Sequence, residues 1–111
     1  MVVIAVVGLP EAPLAAAAEF YARVLPEALA AAGEAGGDVV LHFASADYTH
    51  RAWRLAAVQD LARAAAPRRV NGIEGDDTEA IAAALAYLEG AAGITGQVLQ
   101  LDSQGAGPVL G

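Results

Sequence analysis

The chain has 111 residues, enough for one domain with a single core, and a formal net charge of −7. That charge disfavours binding to phosphate, so neither nucleic acid nor an anionic membrane is expected as a partner. There is no cysteine, which excludes a disulfide frame and a thiolate metal site, and there is no lysine anywhere.

Hydrophobic residues make up 57% of the chain and aromatic ones only 5%, so alanine supplies most of the apolar surface. Its runs, Ala15 to Ala18 and Ala64 to Ala66, favour helices that approach one another closely. Charge or glycine interrupts every apolar stretch before it reaches membrane-spanning length. The opening Met1 to Val7 is too short to span a bilayer and has no basic region before it, so no signal peptide is expected and the cytoplasm is the default location.

Four strand-like runs alternate with three helical ones. Val2 to Val7 is a continuous β-branched run, as in a strand buried on both faces. Gly8, Leu9, Pro10 and Pro13 mark a loop. A helix follows over Leu14 to Ala32, with Leu14, Phe20, Val24, Leu25 and Leu29 at helical spacings and Pro26 as a kink or break. Gly33 to Gly37 ends it, and Val39 to Phe43 is the second strand. Asp47 is the N-cap of a second helix reaching about Ala65, where Trp53, Leu55, Ala56, Val58, Leu61 and Ala62 form two apolar stripes. Pro67 stops that helix, and Arg69 to Ile73 is the third strand, the weakest of the four in pattern. Asp76, Asp77, Thr78 and Glu79 start a third helix whose buried face carries Ile81, Leu85 and Leu88 and which ends at Glu89-Gly90. Gln97 to Leu101 is the fourth strand, and the glycine-rich residues from Ser103 onward read as a flexible tail.

Strands alternating with helices of ten or more residues imply right-handed crossovers and a parallel sheet. The expected architecture is a three-layer α/β half-Rossmann domain over residues 1–102, with four parallel strands in the order 1-2-3-4, three main helices and a tail over 103–111.

Three segments, in order, resemble the second half of the short-chain dehydrogenase/reductase family. Val24-Leu25-Pro26 followed by Gly36-Gly37-Asp38-Val39-Val40 is similar to the helix and strand that lead to the family's catalytic serine. Leu61-Ala62-Arg63 through Arg69-Val70-Asn71-Gly72-Ile73 resembles its LA…RVN-A-I segment. Ile94 to Asp102, with Ile94-Thr95-Gly96-Gln97 as its turn, looks like the closing strand. The chain is also similar to the degenerate, non-catalytic N-terminal half of high-molecular-weight β-ketoacyl reductases.

The resemblance implies a chemistry that this sequence does not match. The family uses a serine and a tyrosine on the substrate carbonyl, with a lysine four residues after the tyrosine that lowers its pKa. Aligned on Leu61-Ala62, Arg51 falls on the lysine position, Asp47 on the tyrosine position and Ala44 on the serine position. Tyr48 and Ser45 are each one residue out, and one residue turns a helical side chain by about 100°. Arginine is no simple substitute, because its charge is delocalised over a planar fork. After Ile73 the family's Pro-Gly is replaced by Glu74-Gly75-Asp76, and no GxGxxG phosphate turn occurs.

Ser45, Tyr48 and Arg51 are therefore degenerate catalytic candidates, and a surface cluster at a helix start is the preferred reading of them. His42 reads as a core histidine with its hydrogen bonds met, and His50 as exposed on a first helical turn; without a third ligand they make no zinc site. Asp76-Asp77-Thr78 is explained by helix-start electrostatics without invoking a cation. No catalytic residue, metal or cofactor is expected, NAD(P) entering only if a partner supplies the missing half. The family pairs the two equivalent long helices between subunits, which makes Phe20, Val24, Trp53 and Leu61 contact candidates, with core packing an equal alternative for Trp53. The first strand lacks its family neighbour, which adds Val3 and Ala5. The expectation is a non-catalytic domain acting in oligomerisation, as a homodimer or with another short-chain dehydrogenase-like chain in a reductase complex. The alternative is an NAD(P)-dependent carbonyl or ketoacyl reductase completed by a partner chain. Excision from a larger protein is a third possibility, slightly disfavoured by the start at Met1.

Overall fold

The structure, a computed structural model, describes residues 1–34, 37–102 and 105–109. Strands β1 (Val2–Val6), β2 (Val39–Phe43), β3 (Val70–Glu74) and β4 (Val98–Asp102) run parallel in the order 1-2-3-4. The register aligns Val2 with Val39, Val39 with Val70 and Gly72 with Val98. The four-stranded parallel sheet is the one the sequence pattern predicts.

The sheet gains a fifth strand where a tail was expected. Strand β5 (Gly105–Val109) pairs antiparallel with β4, with Leu101 opposite Ala106 and Asp102 opposite Gly105. The rest of that segment, 103, 104, 110 and 111, lies outside the described residues. Glycine-rich composition argued for a tail, but β4 would otherwise end the sheet with unmet backbone groups, and an adjacent segment meets them.

The first helical stretch is α1 (Pro13–Glu19), a π turn (Phe20–Val24) and α2 (Leu25–Glu34). Pro26 has no N–H to donate and would clash with the preceding turn in a regular helix. The π turn lies immediately before it, the Leu25 N–H reaching Phe20 O, so the wider winding lets the helix continue past the proline. After β2 a short 3₁₀ turn (Tyr48–His50) leads into α3 (Arg51–Ala65), and Asp47 caps it by accepting the Thr49 N–H at 2.9 Å. Helix α4 (Thr78–Gly90) begins at Asp77, which accepts the Ala80 N–H at 2.9 Å. Both caps are the aspartates the sequence marks as helix starts.

The core divides by strand parity. Ile4, Val6, Val39, Leu41, Phe43, Val70 and Val98 face α1 to α3 and pack with Phe20, Val24, Val58 and Leu61. Val40, Ile73 and Leu99 face the other way, against Ala84 and Leu88 of α4. The result is the expected three layers.

The strands step in one direction across the sheet, yet α4 lies on the opposite face from α1 to α3. The third crossover therefore has the hand opposite to the first two, and the expectation of right-handed crossovers throughout fails. The near face is already filled there: Val58 of α3 lies 3.2 Å from where a Cβ of Gly72 would stand, so the exposed apolar side left for α4 is the far one. Asn71 fastens the return loop, its Nδ2 donating to Ile94 O at 2.9 Å and its Oδ1 accepting the Gln97 N–H at 3.1 Å.

A second correction concerns β1. Ile4 and Val6 are buried, but Val3 is 45% exposed and Ala5 is also exposed, so the strand is covered on one face rather than two. Helix α4 covers β2 to β4 and stops short of it.

Candidate functional site

At the carboxyl ends of β1 and β2 the chain forms a cleft of about 840 Å³. One wall is the loop Val7 to Ala12, which turns away from β1 at Gly8, where φ is +76° and a side chain would be strained. The other wall is Ala44 to Asp47, and His50 and Arg54 close the cleft from the helix side. In open α/β sheets, ligands take this position, outside the carboxyl ends of the strands.

Arg54 is the unusual residue. It is 7% exposed, on the same stripe of α3 as Ala57, Val58 and Leu61. Its Nη1 donates to Glu74 Oε2 at 2.6 Å and to Ala44 O at 2.8 Å. The Glu74 side chain is only 11% exposed, so the ion pair is buried. The guanidinium lies 4.8 Å from the centre of the Phe43 ring, which covers one of its faces. Gln100 Nε2 donates to the other Glu74 oxygen at 3.3 Å, and Arg51 Nη2 donates to Gln100 Oε1 at 3.4 Å. A polar chain thus runs from α3 through the end of β3 to the middle of β4. The sequence pattern does not mark Arg54, and it marks Glu74 only as part of the segment that stands where the family has Pro-Gly. The available signal was a lone arginine in register with Ala57 or Val58 and Leu61, which demands a buried counter-charge.

His50 corrects another expectation. It is 7% exposed rather than on the surface. The Trp53 indole N–H donates to its Nδ1 at 2.9 Å, which makes Nδ1 an acceptor and leaves Nε2 to donate to Glu11 O at 2.8 Å. Both ring nitrogens are engaged, and the loop is tied to α3 through them. His42 fits its expectation, its Nε2 lying 2.8 Å from Gly75 O. Asp47 is held below the usual carboxylate range by the Thr49 hydroxyl first and the Thr49 N–H second.

The three degenerate catalytic candidates do not converge. Tyr48 is 79% exposed and stands outside the cleft. Arg51 is turned toward Gln100. Ser45 borders the cleft, and its main-chain N–H donates to Asp76 Oδ1 at 3.2 Å. Among the described residues no hydrogen bond joins any two of the three.

The contact candidates separate by burial. Phe20, Val24 and Leu61 are at most 1% exposed, consumed by the chain's own core, so they present no surface to a partner. Trp53 is half-buried, its ring centre 5.5 Å from that of Phe20 and 5.9 Å from that of Phe43, which is core packing. Val3 and Ala5 remain on the surface. Among the described residues no helix is long and apolar enough to cross a membrane, and no three His, Asp or Glu side chains gather closely enough to hold a metal ion.

A comparison with known families agrees with this architecture. No curated protein and no solved structure matches the chain. The family model described as short chain dehydrogenase-like protein matches residues 4–101, from the first strand to the end of the fourth. On that match and this fold, the chain belongs to the short-chain dehydrogenase-like family.

Proposed function

We propose that this short-chain dehydrogenase-like domain is non-catalytic and acts in assembly, as a homodimer or as a structural part of a reductase complex. The observation that carries the reading is the open side of β1. Val2 N donates to Asp38 O, toward β2, so the peptide groups of Val3 and Ala5 point away from the sheet. The next outward carbonyl, Val7 O, accepts from Arg23 Nη2 at 2.7 Å. Val3 and Ala5 thus offer backbone groups that are unpaired among the described residues, and exposed apolar side chains, on a parallel strand, a type normally covered on both faces. A strand from a second copy, or from another short-chain dehydrogenase-like chain, supplies what is missing. The scatter of Ser45, Tyr48 and Arg51 supports the non-catalytic part, since a tyrosine acid/base needs a cation beside it to work near neutral pH.

Light scattering on the purified chain tests the assembly. A dimer mass that falls to the monomer mass in Val3→Lys/Ala5→Lys is the expected result. A wild-type monomer at high micromolar concentration contradicts self-association. Titration with NADPH separates the alternative, in which Tyr48 is the acid/base and Arg51 its charge partner. Tight NADPH binding together with Tyr48-dependent carbonyl reduction, alone or with a partner chain, would overturn the proposal.

A further inference from the structure

We propose that His50 is an acid-sensitive latch: while its ring is neutral it ties the loop Val7 to Ala12 to Trp53 of α3, and when Nδ1 takes a proton from solvent the tie opens. The device is separate from the assembly role, because neither Val3 nor Ala5 takes part in it.

The two contacts of the ring admit one protonation state. An indole N–H can only donate, and that of Trp53 lies 2.9 Å from His50 Nδ1, so Nδ1 carries a lone pair. A carbonyl can only accept, and Glu11 O lies 2.8 Å from Nε2, so Nε2 carries the hydrogen. In the imidazolium both nitrogens are donors, and Nδ1–H and the indole N–H then face each other with no acceptor between them. His50 is also buried, so a charged ring in this place has little water around it. Protonation therefore favours a ring turned away from Trp53. A ring that turns either leaves Glu11 O or draws the loop with it, and in both cases the loop loses its link to Trp53.

The surrounding charges give the cation somewhere to go. The charged residues that line the same concavity as His50 are Glu11 and Asp47 from the loops and Arg54 from α3; β1 and α1 bring only Val6 and Ala16. Arg54 is already paired with Glu74 at 2.6 Å, and Glu11 meets the ring through its main chain. Asp47 is exposed and caps the short turn that carries His50. Its carboxyl is held below the usual range by the Thr49 hydroxyl first, the Thr49 N–H second and, more weakly, the charge of His50. It therefore offers the imidazolium an opposite charge in contact with water.

The loop depends on this tie. Arg23 Nη2 holds Val7 O at one end, and the Ala16 N–H holds Ala12 O at the other. Between them, among the described residues, the contact with His50 is the one hydrogen bond made by residues 8–11, with Leu9 packed on the core. Histidine is the side chain whose charge ordinarily changes between about pH 5 and 8, so the latch responds to mild acid.

The chain has one tryptophan and two histidines, so a single indole N–H resonance and two ring Cε1–H resonances report the latch. The ¹⁵N-labelled chain is titrated from about pH 8 to about pH 5. The indole N–H signal is expected to shift with the same midpoint as the His50 ring, and the order parameter of the Glu11 amide to fall from about 0.85 to below about 0.6. His50→Gln keeps a neutral acceptor and donor, and both readouts should stay flat in it; His42→Gln should leave the wild-type response unchanged. An indole signal that stays put while His50 titrates, a His50 ring that takes up no proton in this range, or a Glu11 response equally large in His50→Gln overturns the proposal. If His50→Gln does not fold, agreement or disagreement of the two wild-type midpoints still decides.

Discussion

Breaking the Arg54–Glu74 pair from one side is expected to cost far more than removing it altogether. The two side chains are 8% and 11% exposed and 2.6 Å apart, so a charge left alone has little water to replace its partner. Glu74→Leu strands the guanidinium with Ala44 O as its remaining acceptor, and Arg54→Met strands the carboxylate with Gln100. Orphaning one member of a buried pair costs about 3–5 kcal/mol. A domain of this size has a total stability of about 5–15 kcal/mol, so either single change removes a large share of it. The double variant leaves no charge unpaired, and exposed Ala44 can take water in place of its lost bond, so its stability should lie within about 1 kcal/mol of the original. Urea unfolding followed by far-ultraviolet circular dichroism measures all four proteins. Trp53 emission is the poorer probe, since the mutated guanidinium lies 5.8 Å from its ring. High salt should leave the wild-type midpoint nearly unchanged relative to the double variant, because a buried pair is poorly screened. Single changes that each cost under about 1 kcal/mol and simply add in the double would mean that the pair is solvated rather than buried.

Three further outcomes follow from other contacts. Asp38 accepts the Arg69 N–H at 2.7 Å and the Arg69 Nε–H at 2.8 Å. The main-chain bond first, and then the arginine side chain, outweigh burial and hold its carboxyl below the ordinary value. Its contribution is therefore complete above the unfolded-state pKa of about 3.9 and disappears as pH falls through the lower folded value. The gap in urea midpoint between wild type and Asp38→Asn should narrow on going from pH 6 into that acid range, and a gap that widens contradicts the assignment. Gly75 has φ of +154°, and a Cβ there would lie 2.8 Å from Leu101 Cβ. Gly75→Ala should destabilise by about 1–3 kcal/mol, read as a drop in thermal midpoint; an unchanged midpoint means the ends of β3 and β4 have room to move. Trp53→Phe deletes the indole donor to His50 Nδ1 and should lower stability by about 1–2 kcal/mol in urea, while His50→Ala in the Trp53→Phe background should cost less than His50→Ala alone.

Much of the layout was legible because it is written locally. A short apolar run between a glycine-rich stretch and Asp47 marks β2 to the residue, and Asp47 and Asp77 mark two helix starts through their side-chain caps. Pro26 announced an irregularity, though not that the helix would absorb it in a π turn and continue. The expectations that failed depend on neighbours distant in the chain. Phe20, Val24 and Leu61 have the spacing of a contact surface, but the same spacing builds a core, and only the packed sheet distinguishes them. His50 looked exposed from its place on a helix start, until Glu11, 39 positions away, lay against it.

By itself the sequence determined the element order, the parallel sheet and the absence of the family's lysine and glycine-rich turn, because periodicity, caps and composition act over a few residues. Tertiary structure alone decided the face on which α4 lies, the pairing of Gly105–Val109 with β4, and the meeting of Arg54 with Glu74 above Phe43. Those outcomes depend on which surface remains apolar and unpaired once the other layers have packed, and no window along the chain contains that information.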